Sequence, residues 1–490
     1  MHTEESEYAE PHVLDTAAAG PAAVRGGALR LGSYVAASLL ALISGAITYR
    51  YLGVVDTGRY TSAATLVALV ATASDLGLTA IGIRELSVRS REEGERVTRT
   101  MLGLRLTVTA LGVLVTTAFA LVSYGSTLAL GVLLAGVGLM FQVWQGTISI
   151  PLMAGLRFGW TSLFELVRQV LASALIVVCV VSGAGLVVLL ASPIPAAIAV
   201  LLLTIARFRG EITVGFRFAL SDWRALLKPV VSYALAVAAS ALYFRIAILL
   251  VSLLSSAHQL GYFSVSFSVI AALFTIPGLL ITAAFPIFSR AARDDHMRLA
   301  YALERVFEVS LISGAWMSLA IALGAHFAIE VVGGDKFLPA AGVLAVQGIS
   351  VGATFVGSVW GFGLLSLERH RTILLYNVIA LVLIVIAVSI AASLDGARGA
   401  AIGTSAVEVL YAVVGARVLV HGRPHLAPSL RVVPKVVVAI GLAALVALLP
   451  LSEPLRVLLS AAIYVAALLA LRALPSELLA LLPTRGAARA

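Results

Sequence analysis

The chain has 490 residues, of which 60% are hydrophobic and 12% charged, and its mean hydropathy is +1.04. No soluble globular class has this balance, and apolar runs of 18 or more residues recur as they do in membrane-spanning helices. The ten-residue alternating segments of membrane β-barrels are missing from the sequence. The net charge of +9 follows the loops between apolar runs, so we expect no nucleic-acid partner. The sequence predicts an all-α polytopic membrane protein with the lipid bilayer as its partner.

The first 29 residues are polar and acidic. They contain no basic stretch followed by an apolar core, so a cleavable signal peptide is not indicated. We predict that residues 1–29 form a disordered cytoplasmic tail.

Fourteen apolar segments follow, which predicts about 14 transmembrane helices. The sixth contains Pro193 and Pro195, which should kink or break it, and the thirteenth is short. The segments are residues 31–49, 61–82, 103–122, 127–149, 162–182, 186–205, 229–254, 262–284, 306–324, 341–365, 373–393, 400–420, 436–451 and 455–474.

A weak internal repeat divides the chain. Gly58-Arg59-Tyr60-Thr61 aligns with Gly261-Tyr262-Phe263-Ser264 at an offset of about 203 residues. Each half has six helices, and an even number gives both halves the same orientation, as in a parallel repeat. The predicted parts are an N-lobe (30–205), a cytoplasmic linker with an amphipathic helix (206–228), a C-lobe (229–420), a C-terminal helix pair (421–474) and a cytoplasmic tail (475–490).

The basic residues set the orientation. With the N-terminus inside, the inner loops and tails hold 26 Lys and Arg residues and the outer loops hold 5. This is a strong positive-inside bias. We therefore predict a plasma (inner) membrane protein with both termini in the cytoplasm. The outer loops are mostly shorter than a dozen residues, too short to build an external active site.

Arg245 lies about 15 residues into the apolar segment that ends at Leu254. A guanidinium at that depth costs several kcal/mol unless it faces a polar cavity or a partner. Either it serves a pathway for something negatively charged, or it pairs with a carboxylate on a neighbouring helix. The charge favours the first interpretation.

Four segments resemble a known family. They are YRYLGVVDTGRY (49–60), DLGLTAIGIRELS (75–87), LGYFSVSFS (260–268) and VVGGDKFLPAAGVLAVQGIS (331–350). On the basis of these segments, the chain resembles the polysaccharide (oligosaccharide, O-antigen-type) flippases of the MATE-like MOP exporter superfamily. The resemblance covers roughly residues 30–420. The resemblance implies two six-helix lobes around a central cavity that opens alternately to each side. It also implies translocation of a polyprenyl-pyrophosphate-linked sugar from the inner to the outer leaflet.

A pyrophosphate head group suits arginine, which stays charged and can hold phosphate oxygens with two hydrogen bonds. Arg245 is the first candidate. Arg59 is a candidate for the cavity wall, and Arg50 either lines the cavity or snorkels to the interface. Glu165 and Arg168 share one helix face, where they neutralise each other or Arg168 faces the cavity with Glu165 tuning it.

Four further polar residues lie in apolar segments. Gln142 and Gln145 could bind sugar hydroxyls or hydrogen-bond across helices. Glu408 is the candidate for ion coupling, and Asp75 is a second candidate for which a structural role at a helix end is favoured. No phosphate-binding loop, nucleophile motif or metal-ligand spacing is present, so we expect no cofactor, no metal and no enzyme activity.

Three alternative functions remain open at this point. A MATE-like small-molecule exporter would need acidic rather than basic intramembrane residues. A glycan polymerase or ligase would need catalytic outer loops. A non-transporting scaffold would recruit glycosyltransferases, which are also candidate partners of a flippase, together with a glycan polymerase.

Overall fold

The computed structural model describes residues 19–227, 231–274, 276, 288, 290–292 and 296–475. Within these ranges the regular structure is helical and no strand occurs. The α-helices are α1 (Ala19–Asp75), α2 (Leu78–Leu86), α3 (Arg91–Tyr124), α4 (Ser126–Ile148), α5 (Ile150–Ala154), α6 (Phe158–Val181), α7 (Leu186–Ala191), α8 (Pro193–Arg207), α9 (Leu220–Leu227), α10 (Val231–Leu254), α11 (Ala257–Leu273), α12 (His296–Leu323), α13 (Ala325–Gly333), α14 (Ala340–Ser366), α15 (His370–Val420), α16 (Val432–Ala444) and α17 (Glu453–Ala470).

Nine helical stretches in the described part are long and apolar enough to cross a membrane. Two of them, Val35–Leu86 and His370–Val420, have 52 and 51 residues, more than twice the 20 or so that one crossing needs. The all-α polytopic class is therefore confirmed, whereas the exact number of fourteen spans stays a prediction.

α1 is interrupted at Gly53, whose φ of 71° and ψ of −177° are favourable only for glycine. The helix then ends at Asp75, followed by Leu76 and Gly77 with φ of 38° and 76°. α1 also starts earlier than expected. It begins at Ala19, inside the predicted tail 1–29.

 Residues 1–18 lie outside the described part, and so do residues 476–490 of the predicted C-terminal tail.

α15 folds back on itself at Asp395 and Gly396, where the backbone leaves the helical region and Gly396 has a φ of 52°. The two arms pack with almost no space between them. A Cβ atom at Gly399 would overlap the Ala391 carbonyl oxygen, and one at Gly403 would lie 3.0 Å from the Ala387 carbonyl oxygen. The residue numbers of the contacts rise along one arm and fall along the other, so the two arms are antiparallel. This agrees with the two apolar segments predicted at 373–393 and 400–420.

The sixth apolar segment is broken, as its prolines predict. α7 ends at Ala191, Ser192 separates the helices, and Pro193 opens α8. Proline suits the first turn of a helix, where its missing N–H would have no intrahelical acceptor.

The chain forms two compact units. The first comprises Met1–Ser44 and Leu66–Ala238, and the second comprises Gly45–Thr65 and Ala239–Ala490. Residues 45–65, which belong to the predicted N-lobe, cluster with the second unit, where α1 packs closely against α11. The lobe and linker boundaries stay predictions.

Each unit has its own apolar core. In the first, Phe164 and Phe208 are almost fully buried, and the ring of Trp160 meets Phe208 edge-on at 5.6 Å between centroids. In the second, Phe307 stacks on the buried Trp360 at 5.3 Å. The C-terminal helices join this core: the Tyr464 hydroxyl of α17 donates to the Ile312 carbonyl of α12 at 2.9 Å.

Candidate functional site

Arg245 has an exposed side chain on α10, a helix of 24 residues. Ala247 and Val251 are buried in the core of the second unit, and helical spacing puts Arg245 on the opposite side of α10 from these two residues. Among the described residues, no salt bridge to Arg245 is recorded. The guanidinium is therefore presented away from the core of its own unit.

The second unit contains a cavity of about 280 Å³, bounded by α10, α14 and both arms of α15. Much of its wall is apolar, with Phe362, Leu365 and Ile373 among the lining residues. Six side chains bring polar atoms to it: Tyr243, Thr354, Ser358, Asn377, Glu408 and Tyr411. Such a mixture of apolar walls and a few convergent polar groups is typical of small-molecule sites.

Glu408 provides the one carboxyl group among the residues that line this cavity. Its side chain is 7% exposed. The Tyr243 hydroxyl donates to Oε1 at 2.8 Å. The Thr354 hydroxyl lies 3.3 Å from Oε2 and also 2.8 Å from the Ser350 carbonyl of its own helix, which is the closer acceptor for its one hydrogen. The bond from Tyr243, on another helix, orients the carboxyl group.

A tyrosine stack supports one wall of the cavity. The rings of Tyr376 and Tyr411 are parallel within 25°, with centroids 4.0 Å apart. The Tyr376 hydroxyl donates to the Tyr411 carbonyl, and the Tyr411 hydroxyl donates to Asn377 Oδ1 at 3.0 Å. These bonds connect the two arms of α15 and hold the aromatic wall in place.

The two candidate arginines of α1 both have partners within the second unit. Arg59 pairs with Asp56 at 3.0 Å, and both side chains are largely exposed. Arg50 Nη2 donates to the carbonyls of Glu330 and Val331 at 2.7 Å each. These carbonyls belong to the last turn of α13, where a cation is favourable. A role of either arginine in lining a cavity stays a prediction.

The polar residues predicted in the first unit are also engaged. Arg168 Nε donates to Glu165 Oε2 at 3.1 Å, with a second contact from Nη2 to Oε1. Gln145 Nε2 donates to Ser149 at 3.1 Å and to Thr204, on α8, at 3.3 Å. Gln142 is half-buried on α4. Binding of a sugar by these side chains stays a prediction.

Asp75 forms an ion pair that the sequence did not indicate. Arg105 Nη2 lies 3.0 Å from Asp75 Oδ1, and the Arg105 side chain is 8% exposed. Thr79 donates to the same carboxylate at 2.5 Å, and the Gly77 N–H donates to it at 3.3 Å. Arg105 lies near the start of the predicted apolar segment 103–122, and the structure buries it within α3. Asp75 therefore ties α1 to α3, and its role in ion coupling stays a prediction.

The structure brings together Glu408, Tyr243 and Thr354, of which the sequence analysis named only Glu408. The tyrosines of α10 and α15 were the available signal, because a tyrosine inside an apolar helix needs a partner for its hydroxyl. Arg245 follows Tyr243 by two residues on α10, whereas the other candidate arginines of this unit lie on α1. No group of three or more metal-binding side chains occurs in the described ranges.

A family model matches more than half of the length of the chain. The profile of the family described as "Polysaccharide biosynthesis protein" matches residues 23–292. A search of curated proteins finds no match.

Solved structures share the fold. The chain is similar to "Lipid II flippase MurJ, inward closed conformation", with a TM-score of 0.76 and 13% identity over 91% of this chain and 99% of that chain. The chain is also similar to a MOP superfamily transporter from Pyrococcus furiosus. The TM-score is 0.54 and the identity 18%, over 83% of this chain and 95% of that chain. For a multidrug resistance MATE family transporter, the TM-score is 0.55 and the identity 16%, over 81% of this chain and 97% of that chain. At these identities the likeness establishes the fold alone. The chain thus belongs to the polysaccharide biosynthesis protein family and is a multi-pass membrane protein with the fold of the MOP superfamily flippases and transporters.

Proposed function

We propose that the protein flips a polyprenyl-pyrophosphate-linked oligosaccharide from the inner to the outer leaflet of the plasma membrane by alternating access, for surface polysaccharide biosynthesis. The observation that carries this proposal is the exposed Arg245 on α10, for which no salt bridge is recorded among the described residues. An intramembrane cation persists where it has a function or a partner. The family of the chain makes a glycan precursor the natural cargo.

Arginine fits this cargo for a chemical reason. A pyrophosphate presents several anionic oxygens, and the planar guanidinium can hold two of them at once without losing its charge. The head group must cross about 30 Å of hydrocarbon, so a cationic contact near the middle lowers the barrier for an anion. A lysine would supply the charge but not the paired hydrogen bonds.

The other candidate residues have supporting roles in the proposal. Arg59 and Arg168 each lie beside an acid, Asp56 and Glu165, and an anionic cargo could exchange with these acids. Arg50, Gln142 and Gln145 remain candidates for polar contacts to the cargo.

The proposed orientation has both termini in the cytoplasm, which follows from the excess of basic residues in the predicted inner loops. Cytoplasmic glycosyltransferases would then supply the cargo on the inner leaflet, and an outer glycan polymerase would consume it.

Reconstitution tests the transport proposal directly. Proteoliposomes carry the full chain and a fluorescent polyprenyl-pyrophosphate-linked sugar, and an impermeant quencher reports the outer leaflet. We expect transbilayer movement with the wild type, strong loss with Arg245→Ala, and partial activity with Arg245→Lys. Arg417→Ala is the matched control, because Arg417 is exposed in the last turn of α15. Equal movement in empty liposomes and wild-type proteoliposomes would overturn the proposal.

A further inference from the structure

The linker that follows α8 in the first unit carries an exposed apolar surface. Phe216, Phe218 and Leu220 are 50%, 63% and 80% exposed. The Phe216 ring meets the Phe218 ring at 5.2 Å between centroids, and the Phe218 ring meets that of Trp223 at 6.1 Å. The rings thus form a continuous row from the loop to α9. Neighbouring apolar side chains that stay exposed outside the long apolar helices mark an interaction surface.

The linker lies where the apolar part of α3 begins. The Arg217 N–H donates to the Arg99 carbonyl at 2.9 Å, and a Cβ atom at Gly103 would overlap the Arg217 carbonyl oxygen. The charged residues of α3 end at Arg105, and residues 106–124 are uncharged. That uncharged stretch has about the length of one membrane crossing. The boundary of the bilayer on α3 therefore falls beside the linker, which puts the exposed rings at head-group depth.

α9 is fixed to the first unit by one face and leaves another face open. Trp223 and Leu226 pack against the buried cluster that contains Met101 of α3. Leu220 and Arg224 are four residues apart, so they share a face of the helix, and both are exposed. An apolar and a cationic side chain thus lie side by side, as they do on helices that rest in the membrane interface.

The linker also has an excess of positive charge. Residues 207–227 contain two acids and four arginines, which are Arg207, Arg209, Arg217 and Arg224. Of the acids, Glu211 pairs with Arg157 outside the linker. Asp222 lies 3.5 Å from both Arg96 and Arg217, so one carboxylate is shared by two guanidinium groups. The acids therefore leave the surface beside the exposed rings cationic.

Depth, rings and charge together match a lipid head group better than a cytosolic protein. Aromatic rings are enriched at the head-group level of membranes. A guanidinium can hold two phosphate oxygens at once. A zwitterionic head group carries an ammonium that offsets its phosphate, so a cationic surface favours a head group with net negative charge.

We propose that a linker surface formed by Phe216, Arg217, Phe218, Leu220 and Arg224 binds anionic phospholipid, with the rings at the acyl boundary and the two arginines on the phosphates. The surface selects the lipids around the first unit by the charge of their head groups. It is separate from the proposed contact of Arg245 with the anionic cargo. Lipid binding here does not require that the protein transports a lipid-linked sugar.

A fluorophore beside the linker surface tests the proposal. Cys179 is the only cysteine of the chain, so Cys179→Ala with Ser221→Cys gives one labelling site on the exposed Ser221 position. The labelled full chain is reconstituted in phosphatidylcholine vesicles that contain a small fraction of spin-labelled phosphatidylglycerol or equally labelled phosphatidylcholine. We expect phosphatidylglycerol to quench about twofold or more strongly, and high salt to reduce this difference. Equal quenching by the two lipids at low salt would overturn the proposal and favour a protein partner.

Paired arginine variants locate the lipid preference. Arg217→Ala with Arg224→Ala should abolish the stronger quenching by phosphatidylglycerol. Arg84→Ala with Arg89→Ala is the matched control, because it removes the same charge from exposed positions of the same unit. An unchanged preference in the linker variant, or an equal loss in the control, would contradict the proposal. The salt dependence of the chain with all its arginines keeps the test decisive if the linker variant does not fold.

Discussion

Gly58 and Gly261 each lie against a backbone carbonyl of the other's helix. A Cβ atom at Gly58 would overlap the Ala257 carbonyl oxygen, and one at Gly261 would overlap the Val54 carbonyl oxygen. Each carbonyl belongs to the residue four positions before the opposite glycine, so the contact has local two-fold symmetry. The offset between the two glycines is the 203 residues of the sequence repeat. Small residues that let helix backbones approach closely are typical of membrane helix contacts.

This contact predicts that neither glycine tolerates a methyl group. Gly58→Ala and Gly261→Ala should each destabilise the protein by about 1–3 kcal/mol, because the added carbon can fit only if the two helices move apart. Thermal unfolding in detergent measures the effect. Gly441→Ala is the control, since an added Cβ there meets nothing within 4 Å. Equal melting temperatures for all three variants would contradict the close contact.

The pair of Asp75 and Arg105 gives a second prediction. Removing only the acid leaves the guanidinium of Arg105 buried without its partner. Asp75 itself is 39% exposed, so we expect Asp75→Ala to cost about 1–3 kcal/mol, less than for a fully buried pair. The double variant Asp75→Ala with Arg105→Met should recover part of this loss.

A surface pair in the same unit serves as the comparison. Arg89 and Glu85 are partly exposed at 41% and 28%. Glu85→Ala should therefore cost less than about 1 kcal/mol when the free energies of unfolding of these variants are measured by denaturant titration in detergent. A double variant less stable than Asp75→Ala alone would show that the buried charge is not the cause.

The fold class of this chain could be predicted from its sequence because a bilayer restricts the structures that can span it. Long apolar runs have to form helices because backbone groups in lipid need internal partners. Pro193 marked the break between α7 and α8 because the proline ring cannot continue a helix. Gly58 and Gly261 are the aligned glycines of the sequence repeat, and both lie where two helix backbones approach so closely that only glycine fits.

The site was less accessible to sequence reasoning because its contacts are long-range. Glu408 meets Tyr243 from 165 positions away, and Arg50 meets the end of α13 from 280 positions away. Periodicity and motifs describe neighbours along a helix and contain no information on such pairs. Arg105 lies only two residues into the predicted apolar segment 103–122, and position alone does not separate a buried arginine from a basic helix end.

Arg50 gives a third prediction. Its guanidinium bridges two carbonyls at the end of α13, so Arg50→Ala should cost about 1 kcal/mol and Arg50→Lys less. Arg59→Ala, which removes an exposed pair, should cost less than about 0.5 kcal/mol. Thermal unfolding ranks the three variants. An Arg50→Ala protein as stable as the wild type would show that the cap contributes nothing.

The proposed transport should depend on the membrane potential. With the inside negative, outward movement of an anion is favourable by about 2.3 kcal/mol per charge at 100 mV, or about 4–5 kcal/mol for two charges. An empty carrier with a bare arginine would be drawn back inward by the same field. Proteoliposomes clamped with a potassium gradient and an ionophore test this. Collapse of the potential should slow transport, and an unchanged rate would remove the potential as the driving force.

The most direct test of the central claim is the sidedness of lipid-linked oligosaccharide in membranes of a strain that lacks the gene. The strain is complemented with the wild type, with Arg245→Ala, or with Arg417→Ala. We predict inner-leaflet accumulation that the wild type and Arg417→Ala relieve and Arg245→Ala does not. Normal delivery to the outer leaflet in the uncomplemented strain, or full relief by Arg245→Ala, would contradict the account.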